Sequence, residues 1–285
     1  VSDNALTGQI ENAGWPRMRE FDVSNNMLDG TIPDTMINNP NLLVFDVGHN
    51  MFYGPFPQDI KPNENLQYLS FRENAMTGRL SERVAFLSNL KHLDVGEMAL
   101  SGTIPDTIPQ MTSLQYLCTS GNKFTGQPLA SMNLETLTNL RDLQMKGNGL
   151  SGPLPDWIAE MSSLQLLDLD SNDLTGSIPT WYGLLADLDH LLLNRNRISG
   201  TIPAELGNLD QLSVLLLDGN DLTGSANALC NAASSKQTLS YFIADCYPGL
   251  NGERPEVECR CCTMCCHDSD PDCNNKQWTA DYDPE

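Results

Sequence analysis

An asparagine followed by a spaced apolar residue and a glycine returns along this chain at nearly fixed intervals. It stands at Asn4, Asn26, Asn50, Asn74, Asn122, Asn148, Asn172, Asn196 and Asn220, with Met98 where one more is due. The gaps are 22 residues, then 24 four times, then 26, then 24 three times. No other feature constrains the fold as much, because a unit of about two dozen residues cannot bury its own apolar face and gains a core only by stacking on its neighbours. Around each asparagine the frame reads L-x-x-L-x-L-x-x-N-x-L-x-G-x-I-P, complete from Leu164 to Pro179, and ten units share it, the first cut short.

Each position has a physical role. Apolar residues at alternate positions, as in Leu191 and Leu193 or Leu215 and Leu217, predict a short strand with one face buried. Asparagine at the corner can bond backbone groups of the adjacent turn, so a tight bend repeats without orphaned amides. The glycine four residues on permits the next bend, and Ile-Pro at 32–33, 104–105, 178–179 and 202–203 starts the return path. Stacking predicts a parallel sheet on one side and short helical segments on the other, such as residues 155–161.

The frame, with its L-[TS]-G-x-[IL]-P ending, resembles the plant-type leucine-rich repeat over residues 1–226. The resemblance implies an α/β solenoid of about ten units, a right-handed, curved superhelix whose concave strand face is the binding surface, followed by a disulfide-rich C-terminal cap. Departures from the frame are Met98, Ser81 and Leu129 in place of proline, and two extra residues around Ser131–Thr136. Val1 falls at the third apolar position of the frame, so the natural protein is expected to continue N-terminally.

Of the nine cysteines, eight lie in the segment expected to form the cap, residues 227–273: Cys230, Cys246, Cys259, Cys261, Cys262, Cys265, Cys266 and Cys273. An acidic tail, 274–285, follows. An even count in a module too small for its own core predicts four disulfides and an oxidising compartment. A last strand at residues 238–245 would be tied back by Cys246 to Cys230. Zinc is the alternative, on Cys259, Cys262, Cys265, Cys266 and His267, although adjacent cysteines suit one tetrahedral site poorly. The run E-C-x-C-C-T-x-C-C is similar to the cysteine tail of secreted leucine-rich-repeat proteins of diatoms and related algae, which implies secretion. Asp268, Asp270 and Asp272 resemble half of a calcium loop and offer at most weak calcium binding, because the loop's glycine and glutamate are absent; no other cofactor or metal is expected.

Composition narrows the partner. Among 285 residues, 37 Asp and Glu against 16 Lys and Arg leave a net charge of −21 and a pI near 4.3, which argues against nucleic acid. No apolar run is long enough to span a membrane. No asparagine is followed by x-Ser or x-Thr, so N-linked sugar is not expected.

Residues flanking the inward strand positions line the concave face. They are acidic at the N-terminal end (Asp22, Asp46) and aromatic in the middle, where Tyr68, His92 and Tyr116 beside Arg72 could stack on a sugar or a peptide side chain. Toward the C-terminal end, Leu166, Leu192, Val214 and Leu216 read as an exposed apolar patch next to His190 and Arg195, of the kind that marks an interface. Cys118 falls in the same column and is expected to face outward as a free thiol. A second row, Thr7, Thr77, Ser101, Thr125, Ser151, Thr175, Ser199 and Thr223, places hydroxyls before the glycines. Such rows can order ice-like water, although the repeat uses the same hydroxyls for backbone bonding. The four histidines sit in separate units and no nucleophile elbow, phosphate loop or zinc helix appears, so catalysis is not expected.

The expectation is therefore a non-catalytic extracellular or cell-surface recognition or adhesion module for protein, peptide or glycan, as the family resemblance implies. A self-assembling structural component is the alternative, and an ice-binding or hydrolase-inhibiting protein a lesser one.

Overall fold

The computed structural model describes residues 1–11, 15–230, 239–246 and 256–266. Two parallel sheets of eleven strands each run the length of the stack. The inner sheet is built from three-residue strands, Glu20–Asp22, Val44–Asp46, Tyr68–Ser70, His92–Asp94 and onward, each in register with the same positions of the next turn. The outer sheet runs from Thr7–Gln9 to Val257–Glu258 and comes from the stretch around each Asn-x-Leu-x-Gly. The frame had predicted only the inner sheet. Outer strands form because the residue before each glycine alternates out of the core, while the glycine itself takes a left-handed bend, as at Gly176 with φ +78°.

Between the sheets lies one continuous apolar core. Leu164, Leu167, Leu169, Leu174 and Ile178 of one unit are all buried against their counterparts above and below. Single-turn 3₁₀ helices close the third side, among them Asp156–Glu160 where a helical segment was predicted. The asparagines bind turn to turn. Asn172 Nδ2 donates to the carbonyls of Met145 (3.0 Å), Leu169 (3.1 Å) and Asp170 (3.2 Å), and its Oδ1 accepts from the Leu150 N–H at 3.1 Å. Asn26, Asn50, Asn74, Asn122, Asn148, Asn196 and Asn220 repeat the pattern. Met98, buried in the same slot, has no N–H to donate.

The irregular units behave as their sequences imply. Ser81, standing for proline, accepts the Arg83 N–H at 3.2 Å and caps its helix. The two extra residues of the sixth unit form a register shift between Thr125 and Pro128 and a pair of short helices, Leu129–Ser131 and Leu134–Thr136, joined through Asn133 at φ 51°.

The final inner strand, Tyr241–Ala244, pairs with Val214–Leu216, and Met264–Cys265 adds one more strand at the edge. The disulfides are Cys230–Cys261, Cys246–Cys265 and Cys259–Cys262. Cys246 therefore does not return to Cys230: its strand pairs with Met264–Cys265, which brings Cys265 to it instead. Cys266 is also disulfide-bonded. Two of the sulfurs considered as zinc ligands, Cys259 and Cys262, do cluster with Cys246, mutually within 4.8 Å, but all three are oxidised. His267, Cys273 and the calcium candidates Asp268, Asp270 and Asp272 lie outside the described residues. Among the described residues, no helix is long and apolar enough to cross a membrane.

Candidate functional site

In each inner strand the middle residue, such as Leu69, Leu93 or Leu117, enters the core, and the flanking residues turn to the concave face. Register therefore places Tyr68, His92 and Tyr116 side by side on successive turns. Their rings lie parallel, 4.1 Å apart between Tyr68 and His92 and 4.1 Å between His92 and Tyr116, with interplanar angles of 10° and 8°. The faces expected to stack on a ligand are consumed by one another. A ligand meets ring edges and the two outermost faces. Burial of the sandwiched imidazole pulls the His92 pKa down to about 4, so His92 is neutral at physiological pH.

Beneath the stack, Arg72 is held by Asp94 (3.8 Å), Glu73 (3.6 Å) and the Cys118 sulfur (3.6 Å). Cys118 does not face solvent. It is completely buried, because the central column of a parallel sheet is hemmed in on both sides by neighbouring turns. Burial and the nearby Asp94 carboxylate push its thiol up to about 12. Gly96 makes the packing possible: a Cβ there would stand 2.9 Å from the Cys118 sulfur and 3.3 Å from Arg72 Nη1. Burial also raises the pKa values of Asp46 and Asp94.

The C-terminal half of the face differs from expectation. Leu192 and Leu216 are buried, not exposed, in a small second cluster with Ile243 and Cys266, and Val214 and Met264 pack against it. Leu166 is buried as well. The leucines form a side-by-side row, buried by neighbouring turns like the rest of the central column, with Ile243 and Cys266 continuing it. Beside it runs a buried ionic network: Arg195 donates from Nε to Asp170 Oδ1 at 2.7 Å and from Nη2 to Oδ2, while Lys146 Nζ lies 3.8 Å from the same carboxylate. Asp168 is driven up to about 7 by desolvation and by Asp170, and Asp218 up to about 6 by desolvation and by Asp245. His190 is buried, with Nδ1 3.1 Å from Asp189 Oδ2, and desolvation lowers its pKa.

Two recesses open on this face. One, about 590 Å³, is walled by Tyr68, His92, Tyr116, Arg72, Lys91 and Arg141 among others. The second, about 570 Å³, is walled by Gln165, Leu166, Asp187, Asp189, His190 and Gln211. They adjoin at Asp142, which lines both. The structure thus brings Tyr68, His92, Tyr116 and Arg72 together at the first recess and Leu166 and His190 at the second, and it separates Leu192, Leu216 and Val214 from both. Arg195 serves Asp170. Sequence reasoning missed the residue just before each strand, the row Gln67, Lys91, Gln115, Arg141, Gln165 and Asp189. Its signal was available, since each lies one position ahead of the first column counted.

On the outer sheet, the hydroxyls of Thr77, Ser101, Ser199 and Thr223 donate to the glycine carbonyl of the preceding turn at 3.3–3.4 Å. Their donors are used within the repeat.

The fold defines a leucine-rich-repeat solenoid. Residues 139–161, 163–185 and 187–209 match the Leucine Rich Repeat family. The structure is similar to a TDR receptor (25% identity, TM-score 0.76, covering 90% of this chain and 45% of that one). It is similar also to the Arabidopsis receptor kinase HAESA in complex with the peptide hormone IDA and the co-receptor SERK1 (26% identity, TM-score 0.67, covering 80% and 42%). A plant ice-binding protein shares the fold (23% identity, TM-score 0.55, covering 73% and 75%). This chain spans less than half the length of the two receptor chains. No curated protein matches it.

Proposed function

We propose that this chain is a non-catalytic, extracellular recognition module that binds a peptide along the concave face, across the two adjoining recesses. The observation that carries the reading is the recess beside the Tyr68–His92–Tyr116 stack, a rigid wall of ring edges flanked by the exposed cations Lys91 and Arg141. Aromatic side chains already locked by packing lose little entropy on binding. The likeness to receptor structures, one of them holding a peptide hormone, supports the same reading, and the disulfides support an oxidising compartment.

Chemistry on this face is disfavoured by its own groups. The Cys118 thiol is sealed and titrates near 12, and the His92 Nε2 is buried without a hydrogen-bond partner. Self-assembly through the leucine patch is disfavoured because Leu192 and Leu216 are buried.

Affinity selection from a random peptide library tests the proposal. Selected peptides should bind the wild type, lose affinity with Tyr116→Ala or Arg141→Glu, and be indifferent to Thr175→Ala on the outer sheet. Failure to select any peptide, or binding that ignores both inner-face variants, would sink it.

A further inference from the structure

Resting on the peptide reading above, we propose that the concave face reads one charge pattern: an extended peptide with two acidic residues three positions apart and a basic residue three positions beyond. Lys91, Arg141 and Asp189 are the three reading residues.

They belong to a single hydrogen-bonded row. The N–H of Gln115 donates to the Lys91 carbonyl, that of Arg141 to Gln115, that of Gln165 to Arg141 and that of Asp189 to Gln165, each at 2.7–2.8 Å. Lys91, Arg141 and Asp189 therefore stand two turns apart in succession, with a glutamine between each pair. Adjacent strands of a sheet are about 4.8 Å apart, so charges recur about every 9.6 Å; three residues of an extended chain cover about 10 Å. A peptide lying along the stack presents every third side chain to a charged position. Gln115 and Gln165, exposed and each carrying both a donor and an acceptor, face the backbone in between.

All three charges reach the surface: Lys91 and Arg141 are exposed, and Asp189 is half-buried with one oxygen 3.1 Å from His190 Nδ1. Lys91 and Arg141 form no salt bridge among the described residues, and both line the first recess. At the other end Asp187 and Leu166 line the second recess together with Asp189, an apolar wall beside two carboxylates that suits the methylenes and charge of a Lys or Arg side chain. A uniformly acidic glycan would satisfy Lys91 and Arg141 but meet Asp187 and Asp189 with like charge, which favours the peptide.

Fluorescence anisotropy with labelled peptides tests the pattern. One peptide carries Asp, Asp and Lys at every third position with Ser and Ala spacers; the others are its reverse, its charge permutations and an oligouronic acid. The matched peptide, in one of its two directions, should bind on the order of tenfold tighter than the permutations. Asp189→Lys should transfer that preference to the peptide with Glu in the third place, with unchanged thermal melting as the control for folding. Equal binding of all permutations would overturn the register and leave the peptide reading standing. Binding of the oligouronic acid alone, or of no peptide, would overturn both.

Discussion

The aromatic and leucine halves of the concave face are made by the same repeat, yet they have opposite relations to solvent. In the first, Tyr68, His92 and Tyr116 pack on one another and leave their edges and the neighbouring cations beside an open recess. In the second, Leu192 and Leu216 meet Ile243 and Cys266 side by side and are buried in that row. Apolar side chains on a concave strand face are thus not in themselves a docking surface. What the adjoining turns place beside them decides.

The largest way to break this contrast is Leu216→Glu. A carboxylate forced into the buried cluster should cost about 4 kcal/mol, read as a lower denaturant midpoint. Removing the cap's anchor comes next. The double replacement Cys246→Ser and Cys265→Ser opens a disulfide of sequence separation 19 and should cost about 3 kcal/mol, with added binding of a hydrophobic dye as the leucine cluster is uncovered. If neither change touches stability, the leucine row is not a packed cluster tied to the C-terminal strands.

Acid acts with opposite sign on the buried carboxylates of both halves and on the imidazole of the aromatic half. Asp168, at 3.8 when unfolded and about 7 when folded, contributes stability that is present in full below about 4 and lost as pH rises through 7. Asp218, Asp46 and Asp94 act in the same direction. His92, at 6.5 when unfolded and about 4 when folded, contributes stability present above 6.5 and lost as pH falls toward 4. Melting temperature should therefore rise by a few degrees from pH 7.5 to 6, a change on the order of 2 kcal/mol. Asp168→Asn should flatten that rise, and His92→Phe should soften the fall below pH 5. A flat profile in the wild type would contradict the buried charges. The smallest expected effect on stability is Tyr116→Ala, about 1–2 kcal/mol, with a larger loss of peptide affinity; the reverse ranking would make the stack structural.

Much of this was legible in the chain. The asparagine period gave the stack, the alternation around Leu191 and Leu215 gave the inner strands, and the cysteine run gave a disulfide-rich cap. What was not legible depended on contacts between turns. Cys118 sits in an outward column, and only the tight spacing of Asp94 and Gln144 on either side shows that the column is closed. Ring faces at Tyr68, His92 and Tyr116 looked available because a single unit does not reveal that its neighbours carry rings at the same place. The pairing of Cys246 with Cys265 required knowing which strand lands next to Tyr241–Ala244. Lys91 and Arg141 escaped notice because they precede the strand and carry no apolar marker.

Met98 has a mechanical consequence. Every other internal turn is clasped to the one before it by an amide, whereas here a thioether fills the slot and the clasp is missing. Loaded in tension between its two ends, the coil should part first at this turn, so the stretch carrying Tyr68 and that carrying Tyr116 would be drawn apart while the turns beyond stay wound. The weakest link of the spring then lies inside the aromatic half of the concave face, and force alone would loosen the grip of that face on the peptide proposed to bridge it.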